Sequence, residues 1–181
     1  MSAPCPGRWM FWLLTLIVFS LDLGTKAWVQ WYLPVGHGRA FLFGALRVYH
    51  LPEVNQGAFL SLGRQWGPTA NLVFASISVL VSLMILAAYN RPAIRRRAFL
   101  SAALGCILGG ALGNLHDRLR FGGVRDFLQL FLPLGSNEFI PLTGVFNLAD
   151  SALLTGAAML LLSSWREAPA VPQAAESPTP T

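Results

Sequence analysis

Four apolar stretches, each long enough to cross a lipid bilayer, constrain this chain more than any other feature. A transmembrane helix needs about 20 predominantly apolar residues, and such stretches occupy residues 9–31, 69–89, 98–115 and 142–165. Only 12% of the residues are charged, against roughly 25% in a soluble domain. The sequence therefore predicts an all-α membrane protein, a bundle of four transmembrane helices.

The first stretch has two possible interpretations. Arg8 precedes an apolar run, as in a secretory signal peptide, but the run is long, contains Asp22 and Lys26, and lacks a clear small-x-small cleavage site. We therefore expect a retained anchor, with residues 1–166 forming a single integral-membrane domain. The tail at residues 167–181 is rich in Pro, Ala, Ser and Thr and cannot bury a core, so we expect it to be disordered and cytoplasmic.

The basic residues predict how the helices are oriented. A net charge of +5 could indicate an acidic partner such as nucleic acid, but four of the thirteen basic residues crowd into residues 91–97, between two apolar stretches. That clustering is typical of a cytoplasmic loop. We therefore expect no nucleic-acid partner, both termini in the cytoplasm, and residues 32–68 and 116–141 on the outer face of the membrane.

The first outer segment is more than a connector. Residues 40–51 are rich in aromatic and β-branched side chains and are flanked by Gly and Pro, so we expect a small β-rich segment on the membrane surface. Cys5 and Cys106 lie in different contexts and have no ligand spacing. We expect no structural metal and no cofactor.

A row of small residues runs along the third stretch. Gly105, Gly109 and Gly113 recur every four residues, which lets another helix approach closely. We interpret the row as a packing seam that draws the polar ends of the third and fourth helices together.

Several polar residues lie at the outer ends of the stretches. Asp22 and Lys26 have the i,i+4 spacing of a helical ion pair, although a buried Lys26 with a lowered pKa could instead be a general base. Asn55-Gln-Gly57 is either a surface turn or a place where a peptide backbone approaches the glycine closely. We expect Asp117 and Arg118 to bind each other or loop carbonyl groups.

Two further carboxylates, Asp126 and Asp150, are the strongest functional candidates. An aspartate at the centre of a lone helix costs about 2.5–3.5 kcal/mol to insert, so an acid retained near the membrane indicates function. The structural alternative is helix capping, or pairing with Arg118 and Arg125. The active alternative is an aspartyl pair that shares one proton and activates water. A triad of Ser151, His116 and Asp117 is disfavoured because Ser151 lacks nucleophile-elbow glycines.

In this combination the residues resemble the bacterial lipoprotein signal peptidases, also called signal peptidase II. The resemblance rests on five motifs in order: Asp22-xxx-Lys26, Asn55-x-Gly57-Ala58, Gly109-Gly110-Ala-x-Gly113-Asn114-x-x-Asp117-Arg118, Val124-x-Asp126-Phe127 and Phe146-Asn147-x-Ala149-Asp150-Ser151. One departure is Phe59-Leu60, where the family more often has alanine followed by phenylalanine.

The resemblance implies an inner-membrane aspartyl protease with its active site at the outer face. Such enzymes cut the signal peptide from prolipoproteins before a cysteine that carries diacylglycerol. By motif, Asp126 and Asp150 are catalytic. The residues that line or support the site are Asn55, Gly57, Asn114, Arg118 and Asn147, and those with a chiefly structural role are Asp22, Lys26 and Asp117.

This interpretation also implies partners, and two alternative functions remain. Lipid-modified prolipoproteins arriving laterally through membrane lipids are the expected partners of a monomeric enzyme, and residues 32–68 are a candidate flap over the scissile bond. A proton-coupled transporter also uses intramembrane acids, and an assembly scaffold would use the glycine seam alone.

Overall fold

The computed structural model describes residues 6–57, 66–134 and 138–166. Its helices are α1 (Pro6–Tyr32), α2 (Pro68–Tyr89), α3 (Pro92–Arg95), α4 (Ala98–Phe121) and α5 (Leu148–Arg166). All but the short α3 are long and apolar enough to cross a membrane, which confirms the predicted bundle of four membrane helices. Ala58, Phe59, Leu60 and the tail at residues 167–181 lie outside the described residues.

Helix α4 is the centre of the bundle. Most of its residues are buried, whereas fewer than a quarter of the residues in the most apolar part of each other span are buried. It packs against α1, α2 and α5, so the small residues along it decide how closely its neighbours approach.

The glycine seam joins different helices from those we expected. A Cβ on Gly105 would meet the Phe11 carbonyl oxygen at 2.6 Å, and one on Gly109 would meet that of Thr15 at 2.8 Å, so the i+4 row faces α1. Gly110, on the adjacent stripe, faces α5, where a Cβ would meet the Ala149 carbonyl oxygen at 2.6 Å. The third and fourth spans therefore converge through Gly110, not through the seam.

Two span boundaries differ from the sequence-based ones. Helix α4 continues past residue 115 to Phe121, because its polar residues find buried partners instead of forming a loop, and it ends at Gly122 with φ 73°. Helix α5 begins at Leu148 instead of residue 142. The residues before it, although apolar, bond to a strand: the N–H groups of Leu142 and Phe146 donate to the carbonyl oxygens of Leu130 and Leu128.

The outer segments form one four-stranded antiparallel sheet in the order β1–β2–β3–β4. Its strands are β1 (Gly38–Phe41), β2 (Leu46–Tyr49), β3 (Leu128–Pro133) and β4 (Phe139–Pro141). The β-rich first segment is thus confirmed, but half of the sheet comes from the second outer segment, where we expected no strands. Val48 and Phe127 pack on Val29 and Leu33, which holds the sheet at the C-terminal end of α1.

Candidate active site

Asp126 and Asp150 lie close together because both bind Asn147. Asp126 follows a short bridge between Asn55 and Val124, and Asp150 lies in the first turn of α5. The side-chain amide of Asn147 donates to Asp126 Oδ1 at 2.8 Å, and its backbone N–H donates to Asp150 Oδ2 at 3.2 Å. One residue thus bridges the two carboxylates.

Asn147 also caps the start of α5. Its Oδ1 accepts the Asp150 N–H at 3.0 Å while its own N–H donates to the Asp150 carboxylate, which is the reciprocal pattern of a capping box. The structural alternative therefore holds for one oxygen of Asp150. The other oxygen accepts a 2.9 Å hydrogen bond from Asn114 on α4, which capping does not require.

Asp126 binds amides and not arginines. Its Oδ2 accepts from the Asn55 amide at 2.8 Å, in addition to the bond from Asn147. The structural alternative in which Asp126 pairs with Arg125 is not observed, because the Arg125 guanidinium turns to Asp117 with an Nη2–Oδ1 distance of 2.6 Å.

Three asparagines present their NH2 groups to the carboxylates for a common reason. The amide oxygen of each accepts from a group that can only donate: the Gly57 N–H for Asn55, the Lys26 ammonium for Asn114, and the Asp150 N–H for Asn147. The amide orientations are therefore determined. As a result, three of the four carboxylate oxygens accept a hydrogen bond from an asparagine NH2 group, and the fourth, Asp150 Oδ2, accepts one from the Asn147 backbone N–H.

The surroundings of Asp126 favour its protonated form. Burial, followed by the negative charge of Asp150, raises the pKa of Asp126 from 3.8 to about 6, although the bonds from Asn55 and Asn147 act in the opposite direction. Two close carboxyl groups cannot both ionise cheaply. The pair is therefore suited to hold one proton up to about pH 6.

A buried ion cluster lies behind the pair. Lys26 Nζ is 2.7 Å from Asp22 Oδ2 and 3.2 Å from Asp117 Oδ2, and all three side chains are fully buried. Lys26 Nζ also donates to Asn114 Oδ1 at 3.2 Å. Because two carboxylates and an amide oxygen surround the ammonium group, Lys26 does not fit the role of general base. Asp22 also accepts the Ala149 N–H at 3.0 Å, which ties α1 to the start of α5.

Arg118 positions the segment that carries Asn55. Its Nη2 donates to the Gly57 carbonyl oxygen at 2.6 Å, and its Nη1 lies 3.4 Å from the Gln56 carbonyl oxygen and from Asn71 Oδ1. Of the two partners expected for Arg118, it therefore binds loop carbonyl groups and not Asp117.

A cleft of about 210 Å³ opens beside Asp126. Most of its lining could not be predicted from the sequence, because short apolar and proline residues after a strand carry no distinctive pattern. The lining residues are Leu51, Pro52, Glu53, Val54, Asn55, Asp126 and Val145.

The disfavoured serine triad is not assembled. The Ser151 hydroxyl donates to the Asn147 carbonyl oxygen one turn back at 3.3 Å, while half-exposed His116 faces Asp117 through Nδ1. Within residues 6–57, 66–134 and 138–166, no group of three or more His, Cys, Asp or Glu side chains could hold a metal ion.

The fold defines a polytopic membrane protein and is shared with solved bacterial membrane enzymes. One, determined by the in meso method at 2.3 Å, matches with a TM-score of 0.71 at 21% identity over 91% of this chain and 93% of that one. A second, at 1.9 Å, matches with a TM-score of 0.66 at 22% identity over 86% and 92%. At these identities the likeness concerns the fold alone.

The chain belongs to the signal peptidase II family, because the family model described as "Signal peptidase (SPase) II" matches residues 14–166. A lipoprotein signal peptidase of Desulforapulum autotrophicum is 37% identical over 80% of this chain and 84% of that protein. Those of Halothermothrix orenii and Serratia proteamaculans are 34% and 32% identical over 87% and 91% of this chain, and 97% and 92% of their own lengths. The family predicted from the motifs is confirmed, and the chain is a bacterial membrane peptidase.

Proposed function

We propose that this protein is an aspartic endopeptidase that removes the signal peptide from diacylglyceryl-modified prolipoproteins, cutting before the lipidated cysteine. The observation that carries the proposal is that one asparagine, Asn147, binds both carboxylates beside an open cleft. Its side-chain amide donates to Asp126 and its backbone N–H donates to Asp150. The relatives named lipoprotein signal peptidase support the substrate class.

The chemistry follows from one proton shared by the two carboxyl groups. The ionised aspartate takes a proton from water, whose oxygen attacks the scissile carbonyl carbon, while the protonated aspartate donates its proton to the peptide carbonyl oxygen. The C–N bond of the resulting tetrahedral intermediate then breaks: the first aspartate gives its proton to the leaving amine, and the second takes a proton back from a hydroxyl group, which restores the starting pair. Each carboxylate oxygen accepts one hydrogen bond from the protein and has a second lone pair. The shared proton is bound at one of these second lone pairs, from which it can be donated to the peptide. The others can accept a hydrogen bond from water.

The remaining polar residues have supporting roles in this proposal. Asn55, Asn114 and Asn147 hold the carboxylates, and Arg118 holds the backbone at Gly57. Asp22, Lys26 and Asp117 form a structural cluster that fixes α1, α4 and α5 relative to one another.

We further propose that residues 1–166 act as one monomeric domain in the inner membrane, with the carboxylates on the outer side. The basic residues from Arg91 to Arg97 surround α3, which connects α2 to α4 at the end of the bundle away from the sheet. With that loop in the cytoplasm, both termini are cytoplasmic and the sheet lies outside, beside the cleft. A transporter fits less well, because the two acids lie at one end of continuous helices.

The proposal is tested with purified protein in detergent and a diacylglyceryl-modified prolipoprotein peptide. Mass spectrometry of the products identifies the bond that is cut, and an unlipidated peptide of the same sequence is the control. We expect one cut, directly before the lipidated cysteine, and little cleavage of the control. Cleavage at another bond, or equal cleavage of both peptides, would overturn the substrate assignment, and no cleavage would favour the transporter or scaffold.

A further inference from the structure

An open apolar groove of about 300 Å³ lies between α2 and α5, far from the carboxylate pair. Both helices pack on α4, and the groove is the gap that remains between them. Leu104 and Ile107 of α4 form its floor, and Leu160 of α5 forms one wall. The lining is apolar throughout, so the groove suits a hydrocarbon ligand.

Helix α2 forms the other wall and shows which way the groove runs. Its residues there are Val81, Met84, Ile85 and Ala88, whose three- and four-residue spacings place them on one face of the helix. At a rise of about 1.5 Å per residue, this wall is about 10 Å long. Ala88 is the last residue but one of α2. The groove therefore runs from the connection between α2 and α4 toward the middle of the bilayer.

The connection at the end of the groove is strongly basic. Arginine occupies four of the seven positions from 91 to 97. The sequence has no acidic residue between Glu53 and Asp117, so α2, α3 and the part of α4 before Asp117 offer these arginines no carboxylate. Arg91 and Arg96 are exposed. The connection therefore presents a concentrated positive charge.

Local contacts place this charge at the mouth of the groove. Ile94, in the short helix α3, packs against the apolar cluster that contains Leu104. The Arg91 N–H donates to the Ala88 carbonyl oxygen at 3.0 Å, so Arg91 lies about one turn beyond the end of the α2 wall. Arg97 is the N-cap residue of α4 and precedes Leu104 by seven positions, which places the two on the same side of the helix.

Exposed aromatic rings indicate the level of the lipid headgroups at this end of the bundle. Trp9 and Trp12 on α1 and Trp165 near the end of α5 are exposed, as interfacial residues are. The start of α1 lies beside the end of α2, because the Tyr89 hydroxyl donates to the Arg8 carbonyl oxygen at 3.3 Å. The arginines therefore lie at headgroup level, with the apolar groove at acyl-chain level.

We propose that the groove and the basic connection together bind one anionic phospholipid, with an acyl chain in the groove and the phosphate among the arginines. Guanidinium groups bind phosphate through paired, charge-assisted hydrogen bonds. Basic pockets between membrane helices bind anionic headgroups in this way. The lipid would fill the gap between α2 and α5, so its binding should also stabilise the fold.

Charge favours a lipid over the helix of a signal peptide as the occupant. Such a helix is also apolar, but its positively charged n-region would lie beside the arginines at 91, 95, 96 and 97. An anionic headgroup at the same place is attracted instead. The proposal does not depend on the peptidase assignment, because the bilayer itself supplies the ligand.

The headgroup site is tested with purified protein in neutral detergent that contains equal amounts of phosphatidylglycerol and phosphatidylcholine. Native mass spectrometry measures the lipid that is retained, and we expect one phosphatidylglycerol molecule in preference to phosphatidylcholine. Arg91→Gln/Arg96→Gln should weaken retention of phosphatidylglycerol by about 30-fold. Arg39→Gln/Arg120→Gln removes the same charge from exposed positions at the other end of the bundle and should retain the lipid as the unchanged protein does.

The groove is tested by filling it. Ala88→Phe places a ring in the groove, whereas Ala87→Phe places the same ring on an exposed neighbour outside the lining. We expect Ala88→Phe to abolish both the retention of phosphatidylglycerol and the rise in Tm that this lipid produces, and Ala87→Phe to preserve both. Met84→Trp, in the middle of the same wall, is a second filling variant with the same expected result.

Three results would overturn the proposal. The first is equal retention of the two lipids by the unchanged protein, and the second is equal weakening in both arginine double variants. The third is full retention of phosphatidylglycerol by folded Ala88→Phe and Met84→Trp. If these two variants also raised KM for the lipidated peptide, the groove would instead be assigned to the signal-peptide helix.

Discussion

Replacing Lys26 by methionine is the sharpest test of the buried ion cluster. Lys26 is fully buried, and its ammonium group contacts Asp22, Asp117 and Asn114. Removing one partner of a buried ion pair costs about 3–5 kcal/mol, because a buried charge is left uncompensated. Asp117 keeps Arg125, but Asp22 keeps only the Ala149 N–H among its bonds described above. We therefore expect Lys26→Met to lower the free energy of unfolding by about 3–5 kcal/mol.

Denaturant unfolding in mixed micelles measures this effect. The double variant Asp22→Asn/Lys26→Met should be more stable than Lys26→Met by about 1–3 kcal/mol, because it removes the orphaned charge. Gly24→Ala on the same helix, where an added Cβ meets open space, is the control and should be unchanged or slightly more stable. A loss below about 1 kcal/mol in Lys26→Met, with no recovery in the double variant, would refute the reasoning.

Lys26→Met also has a predicted effect on catalysis that a purely structural role would not produce. The positive charge of Lys26 lowers the pKa of Asp126. Without that charge, the pH dependence of kcat/KM in the folded variant should shift to higher pH. An unchanged pH profile would show that the charge of Lys26 does not influence the carboxylate pair.

Other predictions follow from single contacts. Gly110→Ala should cost about 1–3 kcal/mol and reduce kcat, measured against Gly24→Ala, because its Cβ meets the Ala149 carbonyl oxygen at the start of α5. The pKa of Asp126 is higher in the folded than in the unfolded protein, so its contribution to stability should fall as pH rises from about 4 to about 6, and pH-dependent unfolding of Asp126→Asn should lack this slope. Arg118→Lys should lower kcat/KM at least tenfold in the peptide assay, because lysine cannot span the two carbonyl groups at Gln56 and Gly57.

The sequence predicted the helices because their length and apolarity are local properties. It could not predict where α5 begins, because the apolar residues from Leu142 to Phe146 suit a strand as well as a helix. Their partner, β3, decides the outcome, since Leu142 and Phe146 bond to it. The strands of the second outer segment were missed for the same reason.

The identity and approximate position of the candidate carboxylates could be predicted from the sequence, but the way in which Asn147 connects them could not. Asn147 was expected to support the site, whereas its double role as helix cap and bridge depends on the approach of α4 through Gly110. The partner of the glycine seam could not be predicted either, because a row of glycines permits close approach without specifying the neighbour.

The most direct test of the central claim is kcat for Asp126→Asn and Asp150→Asn on the lipidated peptide. Thermal unfolding verifies that each variant is folded. We expect each substitution to lower kcat by about 10²–10⁴-fold or more, because neither carboxyl group can replace the other in proton transfer. Ser151→Ala and Glu138→Gln, which change a neighbouring hydroxyl and an acid just before β4, should remain active. A folded Asp126→Asn or Asp150→Asn variant with full kcat would contradict the account.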